Sequence, residues 1–426
     1  MKQANIIFIG AGSMSFGIPT FGDLFTTPEL KGATLSLVDT DKGNLDRMHA
    51  LALKMNEATG MDFKINKTTE RREALPGAQY IINSIAIERC ALWKHDFQVP
   101  LKYGIKHCLG ENGGPGALFF TLRTIPLILE ICREMEELCP DAWFLNFSNP
   151  ESRIVLAVNK YTKIKCVGLC HGVYMAQSQT AELLQLPYEE VEVTAAGLNH
   201  FQWLTEVRRK SDGADLYPAL REKIKSADFE GLGLVHKLFK AFGYYPTCSD
   251  DHTGEYLPYG YESGMHGYNF DGDEKHHIVT KNMIEDVIEG RKDVGDLIKK
   301  SNENAVALIT AMHTNTRTQI PAAIVYNEGA ITNLPGDLAV EIAVTVDGSG
   351  VTKHHIGDLP LGAASLLMLQ AGAQRLSVEA AARGDKNLAL QALFADPVVN
   401  STDAAVKILD ELWEINKPYI RNVVGN

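Results

Sequence analysis

Asn5-Ile6-Ile7-Phe8-Ile9-Gly10-Ala11-Gly12-Ser13 decides the fold: a short apolar run passes straight into a turn made of small residues. Such a run, stopped by glycine, reads as a strand buried on both faces. A helix-compatible segment follows from about Ile18 to Phe25, and a second run, Thr34 to Val38, ends in Asp39. Asn44 to Glu57 then has the spacing of an amphipathic helix, which completes a βαβ unit. Gly10, Gly12 and Ser13 let the backbone approach a pyrophosphate, which would lie at the positive end of the helix that follows. The third glycine of the strict fingerprint is absent, although Gly17 comes soon after. Asp39, at the next strand end, can accept from the hydroxyls of an adenosine ribose and would repel a ribose phosphate. That combination favours NAD over NADP, with an ordinary βα turn as the alternative.

The same rhythm continues outward. Phe63-Lys64-Ile65, Tyr80 to Ser84 and Trp143 to Phe147 read as strands, with helix from Ala117 to Glu137. Lys165 to Leu169 and Val191 to Ala196 are further strands, separated by a helix from Tyr174 to Leu184. Strands alternating with helices predict an α/β fold with a doubly wound, Rossmann-like parallel sheet, placed here in residues 1–196. Residues 197–426 read as an interlocked mixed α+β domain for substrate, metal and oligomerisation. Phe201 to Glu285 mixes loops with short helices, Val287 to Ile309 is helical, Ala323 to Thr332 and Ala339 to Val346 pair as strands, and Ala363 to Ile420 is largely helical.

Composition narrows the class. The balance of 41 Lys+Arg against 53 Asp+Glu gives a net charge of −12, with no basic stripe to neutralise a phosphate backbone, so nucleic acid is not an expected partner. The first apolar run is too short for a signal peptide and turns into glycine rather than a cleavage site, and no uninterrupted apolar run reaches the ~18 residues of a membrane span. Seven irregularly spaced cysteines suit a reducing compartment, so a cytoplasmic protein is expected.

Two strand ends carry the chemistry. Lys165 to Leu169 stops at Cys170-His171-Gly172, and Val191 to Ala196 runs into Gly197-Leu198-Asn199-His200. Alone, Cys170 reads as a small buried hydrophobe and His200 as a satisfied polar residue. Together they can hold one divalent metal, and two protein ligands leave positions open, which suits an exchangeable Mn²⁺ better than a closed structural Zn²⁺. Asn149-Pro150 follows the Trp143 strand and leaves an amide near the nicotinamide end of such a sheet, or an asparagine serving its own turn. Glu111 lies in the glycine-rich loop Leu109 to Gly116, which can hold a carboxyl over a site or be a solvated turn. Asp250 and Asp251, before His252, read as an acidic loop or a helix cap. His276-His277 and His354-His355 read as surface residues.

Taken in order, Gly10-Ala11-Gly12-Ser13, Gly110-Glu111-Asn112, Asn149-Pro150, Cys170-His171-Gly172-Val173, Gly197-Leu198-Asn199-His200 and Asn333-Leu334-Pro335 resemble glycoside hydrolase family 4, almost end to end. These are the NAD- and metal-dependent glycosidases that depart from the two-carboxylate scheme. The resemblance implies a fold like the lactate and malate dehydrogenases, a homodimer or homotetramer, and Mn²⁺ held by Cys170 and His200 against sugar hydroxyls. It implies transient oxidation at C3 by NAD⁺, loss of the C2 proton, elimination of the glycosidic oxygen, water addition and re-reduction. In the family's Asp-x-His pattern Asp250 is the base, and Glu111 matches the acid of the leaving group, although some members carry that acid directly after the metal cysteine, where this chain has His171, so the acid stays open. Asn149, His171, Asn199 and His252 then contact the sugar.

Residues after the metal cysteine track substrate in that family, and Cys170-His171-Gly172 resembles the uronidases. An α-galacturonide or α-glucuronide is therefore the expected substrate, with Arg317 and Lys94 as candidate partners for its carboxylate. An α-galactosidase or α-glucosidase working the same way is the alternative. An NAD-dependent hydroxy-acid dehydrogenase and a non-catalytic NAD-binding regulator are the rivals from other classes.

Overall fold

The computed structural model describes residues 3–226, 232–247, 249–263, 268–301 and 303–425. The N-terminal half runs β1 (Asn5–Ile9), α1 (Met14–Leu24), β2 (Thr34–Val38), α2 (Lys42–Thr59), β3 (Lys64–Thr68), α3 (Arg71–Ala74), β4 (Tyr80–Asn83), α4 (Arg89–Lys102), α5 (Gly114–Leu138), β5 (Trp143–Asn146), α6 (Glu151–Tyr161), β6 (Lys165–Gly168) and α7 (Gly172–Leu184). Then follow β7 (Val191–Leu198), β8 (Phe201–Arg209), α8 (Tyr217–Lys223), α9 (Gly233–Phe242), α10 (Asp250–Gly254), α11 (Phe270–Ile288), α12 (Ala305–Thr314), β9 (Thr318–Tyr326), β10 (Ala339–Asp347), β11 (Gly350–Lys353), α13 (Leu361–Arg383), α14 (Lys386–Ala395) and α15 (Thr402–Asn416).

One sheet carries both halves, in the order β3-β2-β1-β4-β5-β6-β9-β10-β7-β8, with β11 on β10. The first six strands are parallel in the doubly wound order of dinucleotide-binding folds. β1 shows why its sequence is a continuous apolar run. Ile6 and Phe8 pack into one core with α1 and α2, while Ile7 and Ile9 face a second core containing α5 and α6. Covering both faces removes the polar alternation of a one-sided sheet.

Beyond β6 the sheet turns antiparallel, starting at the pair Gly168 and Ile324. The boundary expected between 196 and 197 cuts through β7, which pairs with β8 and β10 rather than with β6. Pro321 lies within a bulge of β9, where Pro321 and Ala322 together face Ala343 of β10, a place that tolerates a residue with no N–H to donate.

Several elements differ from the sequence reading. β8 and α11 lie where loops and short helices are expected, and the helical stretches expected around Val287 to Ile309 are the end of α11, a 3-10 turn at Val294–Leu297 and the first part of α12. α11 buries only Ile284 and Val287, so most of its length shows no apolar stripe. α4, with polar residues throughout and Pro100 inside, also gave weak periodicity. α5 is long and apolar enough to cross a membrane by composition, yet it is buried in the second core, interrupted by Arg123. The six described cysteines form no disulfide with one another, and Cys248 lies outside the described residues.

Candidate active site

The glycine turn joins two strand ends. Gly10 and Ala11 both donate their N–H to Val38 O, at 2.9 and 3.1 Å. Gly10 has φ +80°, and a Cβ there would stand 2.5 Å from Ser84 O, so glycine is required on both conformational and steric grounds. Gly12 donates its N–H to Asp39 Oδ2 at 2.8 Å, while Asp39 Oδ1 accepts from Asp41 N at 2.8 Å. Ser13 is the cap residue of α1 but makes no side-chain cap bond. Gly10, Gly12, Ser13 and Asp39 thus meet at the carboxyl ends of β1 and β2, where open α/β sheets bind ligands. The cramped turn and the single carboxylate beside it fit a dinucleotide.

Cys170 and His200 descend from one row of the sheet. Gly168, Ile324, Glu341 and Gly197 are successive register partners, with Cys170 two residues past Gly168 and His200 three past Gly197. Their neighbourhoods overlap, since the charges of both His171 and His252 act on His200. His200 closes the turn between β7 and β8 at φ +64°, a left-handed position unusual for histidine and of a kind that collects at functional sites. Its Nδ1 lies 3.1 Å from Asn112 Nδ2 and 3.3 Å from Glu255 Oε1, which leaves Nε2 as the nitrogen to offer a cation. Burial, then His252, pulls its pKa well below the ordinary value, so the ring is neutral, as a metal ligand must be. Among the described residues no group of three or more His, Cys, Asp or Glu side chains is arranged around a metal position. A half-buried thiol and a neutral imidazole fit a borderline divalent cation with open coordination.

Carboxylates and imidazoles surround His200. Glu111 is buried, and its Oε1 accepts from Arg89 at 2.8 Å while Oε2 accepts from Asn149 Nδ2 at 3.3 Å. The His252 ring lies 4.3 Å from that of His200, and its Nδ1 is 2.8 Å from Asp251 Oδ1. Ser249 Oγ also donates to Asp251. Burial would lower His252, but Asp251, Glu255 and Glu111 outweigh it and its pKa is raised. Burial conversely pushes Asp251 up, and the bonds from His252 and Ser249 more than reverse that.

Asp250 does not join this group. It is 1 % exposed, and its two carboxylate oxygens accept the backbone N–H groups of Leu234 and Val235, both at 2.9 Å. Those are the orphan donors of the first turn of α9, so the carboxylate is spent on a helix start. Asp250, expected as the base, is instead engaged at the start of α9, and the carboxylate beside His252 is that of its neighbour Asp251.

Behind the site stand further acids. His171 Nδ1 is 3.3 Å from Glu303, whose hydrogen bond raises its pKa. Asn199 donates Nδ2 to Glu341 Oε2 at 3.0 Å, and its carbonyl accepts from Tyr256 Oη at 2.8 Å. Burial pushes Glu341 up to about 7 and Glu255 to about 7. Lys94 is exposed on α4 and Arg317 is exposed just before β9, beside Asp347. Arg89 faces the cluster through its ion pair with Glu111.

Arg89, Glu255, Glu303 and Glu341 are absent from the sequence reading. Arg89 opens a helix with little periodicity, and Glu255, although it lies in the stretch from Ser249 to Tyr256, reaches the site through loops far away in sequence. No local signal marks any of the four.

The sequence model described as "Family 4 glycosyl hydrolase" matches residues 5–186, and that of its C-terminal domain matches residues 195–399. The chain is 32% identical to an alpha-glucosidase of Erwinia rhapontici over 97% of this chain and 98% of the relative. It is 34% identical to an alpha-galactosidase of Bacillus subtilis strain 168 over 92% of each. An alpha-galacturonidase of Thermoanaerobacterium saccharolyticum is 27% identical over 99% and 97% of the two chains. Among solved structures, a 6-phospho-alpha-glucosidase from gut microorganisms, in complex with NAD and Mn²⁺, superposes with TM-score 0.84 at 22% identity, covering 99% of this chain and all of the other (100%).

Proposed function

The chain belongs to family 4 of the glycosyl hydrolases, and from that membership we propose that it hydrolyses α-linked uronides, galacturonide or glucuronide, with NAD and a divalent cation such as Mn²⁺. The hydroxy-acid dehydrogenase and the non-catalytic regulator give way to a glycosidase. When bound, NAD⁺ would take and return a hydride and the cation would act as a Lewis acid on sugar oxygens. Gly10, Gly12, Ser13 and Asp39 would hold the dinucleotide, and Cys170 and His200 the cation.

The observation that carries the reading is the Asp251–His252 pair set against the His200 ring at 4.3 Å. Asp251 bonds Nδ1 and so orients the imidazole, which leaves Nε2 to take a proton from sugar C2. Ser249 holds Asp251 in turn. Glu111 offers two acceptor oxygens, both engaged, by Arg89 and Asn149. A uronate carboxylate that pairs with Arg89 would release Glu111 from its ion pair, and Glu111 could then take up a proton from water and pass it to the leaving oxygen. His171, oriented by Glu303, and the amides of Asn149 and Asn199 would bind sugar hydroxyls.

The uronide preference is supported by Gly172, which adds no bulk after His171, and by the guanidinium of Arg89 at the edge of the site. The names borne by the 32% and 34% identical relatives favour a second reading, a neutral α-glucoside or α-galactoside as substrate. A panel of nitrophenyl α-glycosides, assayed with NAD⁺, Mn²⁺ and a thiol reductant and with each omitted in turn, separates the two. Nitrophenol release from a uronide only in the complete mixture is expected. Release from an α-galactoside or α-glucoside but from neither uronide discards the uronide reading and keeps the second.

A further inference from the structure

We propose that Glu255 is a positioning residue that selects the tautomer of His200 able to bind a cation and clamps the Glu111 loop to the same point. This rests on the reading of Cys170 and His200 as metal ligands.

Glu255 follows α10 and its side chain is fully buried. Its Oε2 accepts three successive backbone N–H groups, from Glu111 at 2.7 Å, Asn112 at 2.7 Å and Gly113 at 3.2 Å. These amides precede α5, whose positive end would attract an anion, and the carboxylate fills that position from within the protein. The glycine-rich loop is therefore already occupied and is not a phosphate cradle. The approach also demands Gly113, where a Cβ would stand 2.5 Å from Glu255 O. One side chain thereby fixes the backbone that carries Glu111.

The other oxygen acts on the histidine. Asn112 Oδ1 accepts from Glu151 N at 3.1 Å, which fixes its amide so that Nδ2 faces His200 Nδ1. Nδ1 therefore meets a donor, Asn112 Nδ2, and an acceptor, Glu255 Oε1. If Nδ1 is bare it accepts from Asn112 and the proton sits on Nε2, which then has no lone pair for a cation. If Nδ1 carries the proton it donates to Glu255 and Nε2 is free to ligate. Oε2 is taken up by three N–H donors and Oε1 is turned to Nδ1 as an acceptor, so the carboxyl group favours the second form, as outer carboxylates do for metal-bound histidines. Glu255→Gln keeps the shape but has a single acceptor oxygen for four donors.

The test uses full-length enzyme stripped of metal with a chelator, with Mn²⁺ binding followed by electron paramagnetic resonance of the free ion and NAD⁺ binding by fluorescence. Glu255→Gln should weaken Mn²⁺ binding by about 10–100-fold while NAD⁺ affinity and cooperative unfolding stay close to those of the unmodified chain. Equal loss of Mn²⁺ and NAD⁺ binding would mean that Glu255 only supports the fold. A second measurement does not require the variant to fold. In ¹⁵N-histidine-labelled unmodified protein, His200 should show the Nδ1–H tautomer, and an Nε2–H tautomer would overturn the proposal. Cys170→Ser and His200→Ala separate the two levels: if they bind Mn²⁺ normally the metal reading fails, whereas if they lose it and Glu255→Gln does not, only the role of Glu255 fails.

Discussion

Asp250 accepts the backbone N–H of Val235 at 2.9 Å, and its other oxygen accepts that of Leu234, so this carboxylate holds the start of α9. Asp250→Ala should therefore act on stability. It is expected to lower the unfolding free energy by about 1–3 kcal/mol in a urea titration, with kcat of the folded fraction nearly unchanged. A variant of full stability that had lost its turnover would return Asp250 to the chemistry.

Asp251→Asn and His252→Gln should each lower kcat by about 10²–10⁴-fold without loss of Mn²⁺ binding. The two side chains act as a unit, so the double variant should be little worse than either single one. Exchange of the C2 proton with solvent deuterium is the direct readout. Persistence of that exchange in His252→Gln would remove the imidazole from the proton path.

Arg89 meets the cluster through its pair with Glu111 at 2.8 Å. Arg89→Met should cost uronide turnover at least ~30-fold in kcat/KM, in line with losing one partner of a hydrogen-bonded charge pair. Neutral α-glycosides should lose much less. If both classes fall together, Arg89 serves Glu111 and not the substrate carboxylate.

Glu341 is buried, and its pKa is raised from 4.5 to about 7 by burial, against the bonds from Asn199 and Gln202. An oxygen of Glu341 and the side-chain oxygen of Gln202 both lack a hydrogen bond, an arrangement that a proton on Glu341 would satisfy. The folded state thus holds a proton that the unfolded chain releases, and stability falls as pH rises from 4.5 to about 7. The contribution is on the order of 3 kcal/mol. Glu341→Gln should remove this part of the slope, so the variant gains on the unmodified protein at pH 8 relative to pH 4.5 in calorimetry. Parallel pH profiles for the two would show that Glu341 does not titrate in this window.

Much of the site was legible because strand ends announce themselves locally. Gly10, Gly12, Asp39 and Cys170 follow apolar runs whose parallel strands bring their carboxyl ends to one edge by topology, whereas His200 follows an antiparallel strand and reaches that edge only through the register of β6, β9, β10 and β7. The choice between Asp250 and Asp251 was not legible. Adjacent residues leave the backbone in different directions, and only the position of α9, which begins at Gly233, shows which of the two is taken up as a cap.

By itself, then, the sequence determined what short-range periodicity and turn chemistry can encode: a parallel βαβ half, a dinucleotide turn, and a thiol and an imidazole at two strand ends. The tertiary structure decided the joining of β6 to β9, which merges the two halves into one sheet, and the convergence of Arg89, Glu111, Glu255, Asp251 and His252 around His200. The contacts around His200 link segments up to 144 residues apart, as between Glu111 and Glu255. Their partners are set by how helices and loops pack in three dimensions, and no period along the chain carries that information.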